Sequence, residues 1–436
     1  MISEIDTAFW PVYTAAAVFG IAYVLVVTEK INGGLAAWLG ALLLLVLGIV
    51  DWNAALTHHI YLNALLLLAG MMVTAAAVDR SGIVQFAVLH TVRAVRGSAG
   101  AMLALLTLTA ALASALLGSG PALLLLAPLI LNIGRTLKAG PVPFLIMSVI
   151  ACNLGGMTTL AGSVPNIMIG SAADMDTRDF IARLLPPALL LLVVHLLLLL
   201  LIFRKELRSS AERRAELLRL EAALPNRRRA LLSLGMLALL TAGLLGHEAL
   251  HMSSGAVAAA AAVLMLAVNA RTSEDAAGIR EHIDFKTLAV LAGFYVLAAG
   301  LVETGIIGEI AARLLELTNE NKVGTSLVLF AVSGLLSAVL DPVPLTAAAV
   351  PLIQTIGLQM EVIHPADLNE LWWALALGAG IGSSGTLAGS VAGVLAAGLA
   401  QREGYRFSYL SYLAVAFPLT LLALAAGGWY LYTHIL

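Results

Sequence analysis

The sequence predicts an all-α polytopic membrane protein, with about ten transmembrane helices plus two re-entrant hairpins arranged as two inverted-topology repeats. Three observations predict it. Apolar runs long enough to cross a bilayer as helix recur from end to end, two longer apolar stretches are broken near their middles by Gly and Pro, and the two halves of the chain repeat one another in order.

Of the 436 residues, 61% are hydrophobic and 11% charged. With a mean hydropathy of +0.97, the chain lies far from ordinary water-soluble composition, and the lipid bilayer is its expected partner. About 20 apolar helical residues cross roughly 30 Å of hydrocarbon, which places spans at 10–28, 34–50, 60–79, 142–171, 180–203, 230–246, 254–270, 285–302, 372–400 and 408–433. The start MISEIDTAFW is acidic where a secretory signal is basic, so the first span is expected to remain. The lone Cys152 excludes an intramolecular disulfide and argues against a thiolate metal cluster.

The stretches 98–138 and 325–357 read as re-entrant hairpins that enter and leave by one face. Segments 80–97 and 303–320 are amphipathic and read as interfacial arms joining span to hairpin. Three units follow: a first repeat 1–203 with hairpin 98–138 and broken helix 142–171, a polar linker 204–229, and a second repeat 230–436 with hairpin 325–357 and broken helix 372–400.

Charge sets the orientation. Nine of the 24 Lys and Arg residues fall in Arg204–Arg229, and cytoplasmic loops are rich in positive charge, so the linker is placed inside. With hairpins that do not cross, the basic residues then divide 20 inside to 4 outside, the four being Arg178, Arg183, Arg313 and Lys322. Both termini fall outside, and a bacterial inner membrane is the expected location.

The duplication can be read directly. Residues 159–164 and 386–391 both spell TLAGSV; SALLGSGPALLLLAPLILNIG from Ser114 parallels SAVLDPVPLTAAAVPLIQTIG from Ser337; LAGMMVTAAAVDRSGI (68–83) parallels LAGFYVLAAGLVETGI (291–306). Pro121 matches Pro344 and Pro128 matches Pro351, all at offsets of 223 to 227. Five spans separate equivalent points, so the copies face opposite ways, the arrangement secondary transporters use to build two gates around one site.

The candidate chemistry sits where these copies are broken. NLGGMTTLAGSVPN (153–166) and GIGSSGTLAGSVAG (380–393) are too rich in Gly and Pro for continuous helix. Unpaired backbone survives at membrane depth only inside protein or beside water, so each break implies a cavity. Its backbone is interrupted at Gly155, Gly156, Gly162, Pro165, Gly382, Gly385 and Gly389, and at the hairpin tips at Gly118, Gly120, Pro121 and Pro342. Polar side chains at these places are Ser119, Asn153, Thr158, Thr159, Ser163 and Asn166 in one half, with Asp341, Thr346, Ser383, Ser384, Thr386 and Ser390 in the other. The plainer alternative is that small residues merely let helices pack closely.

Asp341 is the one acidic residue in a deep apolar segment, where an ionised carboxylate costs about 2.5–3.5 kcal/mol on insertion scales. It must be protonated, paired with a cation or solvated, which makes it the candidate for proton coupling; helix N-capping is a compatible second role. His195 in VVHLLLLLL reads as a packed histidine, and His247 with His251, at i, i+4 spacing but without a third ligand, reads against zinc. Trp372, Trp373, Trp429 and Tyr432 read as interfacial anchors. No GxxxxGK[ST] loop is present, so the chain alone cannot drive ATP-powered pumping. No nucleophile–base pair falls near one plane, which speaks against an enzyme.

At PVPFLI (141–146), NLGGMTTLAGSVPNIMIGSAA (153–173), LDPVPLTAAAVPLI (340–353) and WWALALGAGIGSSGTLAG (372–389) the chain resembles the ion transporter superfamily. The likeness is to the branch containing the arsenite pump membrane protein ArsB, the NhaD sodium/proton antiporter and the melanosomal P protein, and it spans nearly the whole chain. The resemblance implies an elevator-type carrier with no resident cofactor, coupled to H⁺ or Na⁺. The expected solute is a small inorganic ion or hydroxide, in Na⁺/H⁺ or arsenite/antimonite antiport. An anion or dicarboxylate permease, a channel and a transport-dead scaffold are the alternatives. A homodimer is compatible with it; a nucleic-acid partner is not expected. Where relatives carry Asp-Asn at the first tip this chain has Gly118-Ser119, and after Asp341 the usual Asn is Pro342. Fewer carboxylates and amides leave Na⁺ short of its usual six or so oxygen ligands.

Overall fold

The computed structural model describes residues 2–28, 32–83, 86, 95, 98–137, 141–207, 227–247, 249–269, 278, 283–362, 365–405 and 407–436, and these are helix, turn and short connections throughout. Most of the polar linker, residues 208–226, lies outside the described residues, as do most of the 80–97 arm and the loop residues Lys30, Lys138, Arg271, Arg280 and Arg406.

Helices α1 (Ile2–Thr28), α2 (Gly33–Val46) and α3 (Leu62–Ser81) open the chain. Next come α4 (Ala99–Leu117) and α5 (Ser119–Leu137), joined at Gly118, and then α6 (Val142–Gly156), α7 (Val164–Ala173) and α8 (Thr177–Ile202). After the linker, α9 (Arg227–Gly246), α10 (Ser254–Asn269) and α11 (Phe285–Glu303) lead into α12 (Ile306–Leu317). The last group is α13 (Lys322–Val339), α14 (Pro342–Gln359), α15 (Asn369–Gly382), α16 (Val391–Arg402) and α17 (Tyr409–Tyr430). Among the described residues six helices are long and apolar enough to cross a membrane: α3, α4, α8, α11, α13 and α17 with its terminal turn. Several others are apolar but shorter. The chain is a multi-pass membrane protein.

Packing explains many of the glycines. A Cβ on Gly70 would lie 2.6 Å from the Ala258 carbonyl carbon, and one on Gly293 would lie 2.8 Å from that of Ala37, so α3 meets α10 and α11 meets α2 backbone to backbone. A Cβ on Gly155 would lie 2.3 Å from the Ala111 carbonyl oxygen and one on Gly382 would lie 2.2 Å from that of Gly334, so α6 packs directly onto α4 and α15 onto α13. Ser114 donates to the Cys152 carbonyl and Ser337 to the Ala379 carbonyl, fixing the same two contacts. The plainer reading of small residues therefore holds for Gly155 and Gly382, whose role is close approach.

Leu189, Leu190, Val193, Leu197 and Leu201 of α8 are exposed, as expected of a lipid-facing stripe. α12 is amphipathic, burying Ile307, Ala311 and Leu315 while Glu309 and Arg313 pair outside at 2.6 Å. His195 is buried, its Nδ1 2.7 Å from the Leu191 carbonyl oxygen. Two expected anchors are corrected: Trp372 and Trp373 are only 3% and 4% exposed, and the Trp373 ring meets Phe180 edge-on at 5.2 Å. They are core residues because α15 is enclosed on all sides, whereas Trp429 and Tyr432 are exposed.

Candidate functional site

Two interrupted helices and two helix-joining tips meet at the centre. α6 ends at Gly156 and the chain restarts as helix at Val164, with the Ser163 hydroxyl capping the new helix by accepting from Asn166 N. α15 ends at Gly382 and restarts at Val391, capped in the same way by Ser390 accepting from Gly393 N at 3.1 Å. Both caps have extended backbone, with φ, ψ of −148°, 147° and −156°, 149°, as N-caps require.

Side-chain hydrogen bonds hold the exposed backbone of each break and tie it to its neighbours. Asn166 Nδ2 donates to the carbonyls of Met157 at 2.9 Å and Thr159 at 2.8 Å. Thr158 donates to Gly155 O at 2.6 Å and Thr159 to Ala115 O at 2.6 Å. In the second break Thr386 Oγ1 accepts from Gly389 N, and Tyr412, fully buried on α17, donates its hydroxyl to Ser384 O at 2.9 Å. Asn153 joins the two breaks, for its buried Nδ2 lies 3.0 Å from Ser383 O, 3.1 Å from Ser390 Oγ and 3.3 Å from Ser384 Oγ.

The tips differ. Gly118 has φ +93°, a region side chains avoid, so α4 can turn into α5 there only through glycine. At the other tip Asp341 is the N-cap of α14, its carboxylate accepting from Val343 N at 2.8 Å, with Pro342 as the first helical residue.

Around these elements lies a cavity of about 50 Å³. Ser119, Asn153, Ser163, Asp341, Ser383 and Ser390 supply its polar wall, and Met157, Val164, Val343 and Val391 its apolar wall. The one charged side chain among the described lining residues is Asp341. At roughly 30 Å³ per water, the space suits one or two waters or a small ion. The starts of α5, α7, α14 and α16 all reach this wall, and each helix start carries about half a positive charge. Donors are unequally spread: in α14 Pro342 and Pro344 have no N–H and Val343 N is committed to Asp341, whereas Val164 and Val391, at the first helical position, keep N–H groups that no intrahelical acceptor takes. A neighbouring cavity of about 200 Å³ shares Ser119, Ser163, Val164 and Val391 and extends to Asp284 and Thr287 at the start of α11.

Of the polar residues expected at the site, Ser119, Asn153, Ser163, Asp341, Ser383 and Ser390 line the cavity. Thr158, Asn166 and Thr386 instead satisfy the broken backbone, Thr159 ties the first break to the Ala115 carbonyl of α4, Ser384 Oγ accepts from Asn153, and Thr346 is buried off the cavity wall. Tyr412 carried no signal in the sequence, being one aromatic in an apolar helix 28 residues from its partner.

Known proteins agree with this architecture. An uncharacterized transporter of Mycobacterium tuberculosis is 30% identical over 423 residues, 96% of this chain and 97% of that one. The 46 kDa membrane protein of Mycobacterium leprae is 30% identical over 427 residues, covering 97% and 98%. The Homo sapiens P protein is 28% identical over 96% of this chain, which corresponds to 59% of that longer protein. In fold, the crystal structure of the Alcanivorax borkumensis YdaH transporter superposes with a TM-score of 0.58 over 98% of both chains at 16% identity. The pattern described as citrate transporter matches residues 23–378. The chain belongs to the citrate transporter family, within the branch of the ion transporter superfamily that includes the P protein, and is a membrane transporter rather than an enzyme.

Proposed function

We propose that the protein is a proton-coupled secondary transporter of a small inorganic solute, a neutral hydroxide or a singly charged oxyanion, moved by an elevator-like displacement of the tips and breaks. The observation that carries this is the central cavity: about 50 Å³, reached by four helix starts, with Asp341 as its one charged lining side chain among the described residues. Four half-positive helix ends disfavour Na⁺. The small volume and the lack of any Arg or Lys among the described wall residues disfavour a tricarboxylate. In antiport, a solute hydroxyl donates to ionised Asp341, and protonation of that carboxylate replaces a charge-assisted acceptor by a weaker neutral one, which releases the solute.

Two inverted repeats, ten spans and two re-entrant hairpins are part of this reading. Supporting them, Gly70 and Gly293, Gly155 and Gly382, and Ser163 and Ser390 occupy matched positions in the two halves and make matched contacts. The second span of each half also meets the third span of the other, α2 against α11 and α10 against α3. The inner bacterial membrane, a cytoplasmic linker and outside termini complete the proposal, and the 200 Å³ cavity leading to Asp284 then supports access from the cytoplasm.

A second reading, a carboxylate anion permease, is favoured by the family description and by the same converging helix starts. Thermal unfolding of the purified protein against arsenite, antimonite, Na⁺, Li⁺, citrate and dicarboxylates across pH separates the two. Stabilisation by a hydroxide or small oxyanion, with pH-dependent flux in proteoliposomes that Asp341→Asn abolishes, is expected. Stabilisation by citrate alone, or flux that ignores both pH and Asp341→Asn, overturns the proposal.

A further inference from the structure

A second polar chamber runs along the helix that begins at Asp341. α14 presents Val343 to the central cavity and, one turn further, Ala347 to a chamber of about 180 Å³. Pro351 and Gln354 continue the same face of α14 along that chamber. Opposite stands α11 with Tyr295 and Ala298, and His58, His59 and Tyr61 close the far end, on the side the charge bias places outside. At roughly 30 Å³ each, about six waters fit.

Its lining is built for water. Tyr295 is 4% exposed and its hydroxyl has no partner among the described residues, a costly state for a buried donor unless water fills it. Pro351 has no N–H to give the Ala347 carbonyl four residues back, and both residues line the chamber. Gln354 Nε2 donates to Tyr61 Oη at 3.0 Å, and His59 Nε2 lies 3.3 Å from Glu303 Oε1 at the mouth. A purely apolar void would stay dry; this one offers several polar partners.

We propose that this chamber is an outer water path through which Asp341 exchanges protons with the outside, a role that rests on Asp341 being the coupling group. The titratable groups along it are His58, His59 and Tyr61, with Tyr295 and Glu303 on α11. From α1, Tyr23 lies within electrostatic reach of Asp341. The four residues from Val343 to Ala347, a rise of about 6 Å along the helix, separate chamber from central cavity. A proton arrives on water, adds to the carboxylate of Asp341, and leaves by the opposite cavity; nothing is oxidised or reduced.

Two measurements on the full chain test it. In hydroxyl-radical footprinting of the wild-type protein, Tyr295 is expected to oxidise at least fivefold faster than Tyr412, which is also buried; equal rates would mean a dry chamber and overturn the proposal. In sealed proteoliposomes, a membrane-impermeant thiol reagent added at the His59 face is expected to modify Ala298→Cys, Ala347→Cys and Val343→Cys at least tenfold faster than native Cys152. Modification of Ala298→Cys and Ala347→Cys without Val343→Cys would show a chamber that stops short of Asp341 and would also overturn the route. If the cysteines react but Asp341→Asn retains pH-dependent flux, the coupling assignment is at fault. If they stay inert while Asp341→Asn is inactive, the chamber alone is.

Discussion

Asn153→Ala tests whether the two breaks are held together by one amide. Nδ2 carries two N–H groups and faces three acceptors, of which Ser383 O at 3.0 Å and Ser390 Oγ at 3.1 Å are the closest. Losing two buried hydrogen bonds removes about 1–3 kcal/mol, and the Ser383 carbonyl, which unlike a hydroxyl cannot rotate to another role, adds about 1–3 kcal/mol if left unpaired. Water from the adjoining cavity can recover part of that, so a net loss of about 2–4 kcal/mol is expected. The chain carries its own reporter, because Cys152 is its single cysteine and is fully buried. Thermal unfolding in detergent, followed by reaction of that thiol with a fluorogenic maleimide, is expected to show a midpoint lowered by at least 4 °C, at roughly 2 °C per kcal/mol for large domains. Asn153→Asp should fall further when ionised, since a carboxylate can only accept and would face the Ser383 carbonyl. The exposed Asn53→Ala is the control. A midpoint for Asn153→Ala within 1 °C of wild type would refute the bridging role.

Three further outcomes follow from the same geometry. Gly382→Ala places a methyl 2.2 Å from the Gly334 carbonyl oxygen and is expected to destabilise by about 1–3 kcal/mol despite alanine's better helix propensity; Gly246→Ala, with nothing within 4 Å, should be neutral or stabilising in the same thiol assay. Tyr412→Phe removes the donor to Ser384 O and is expected to lower stability by about 1–3 kcal/mol, with an unchanged far-ultraviolet helical signal. Gly118→Ala forces a side chain to φ +93° at about 1–3 kcal/mol and should lower the unfolding midpoint, whereas Gly235→Ala, open on all sides, should not.

Much of this protein is legible in its sequence. Apolar length announced the membrane, because a bilayer admits few alternatives to helix. The repeated TLAGSV strings marked both breaks, because backbone that cannot continue as helix needs particular residues to stop and restart it: Ser163 and Ser390, inside those strings, are the two caps. Asp341 followed by proline announced a helix start in the same way. Hydropathy could not say which side of an apolar helix faces lipid and which faces protein, since both surroundings are equally apolar and the amphipathic period vanishes. For that reason Trp372 and Trp373 read as interfacial in the sequence but are core residues in the structure, and Asn153, Tyr412 and the Tyr295 chamber acquire their roles only where segments far apart in the chain meet. Local backbone chemistry is written in local residues; the choice of partner belongs to the packed structure.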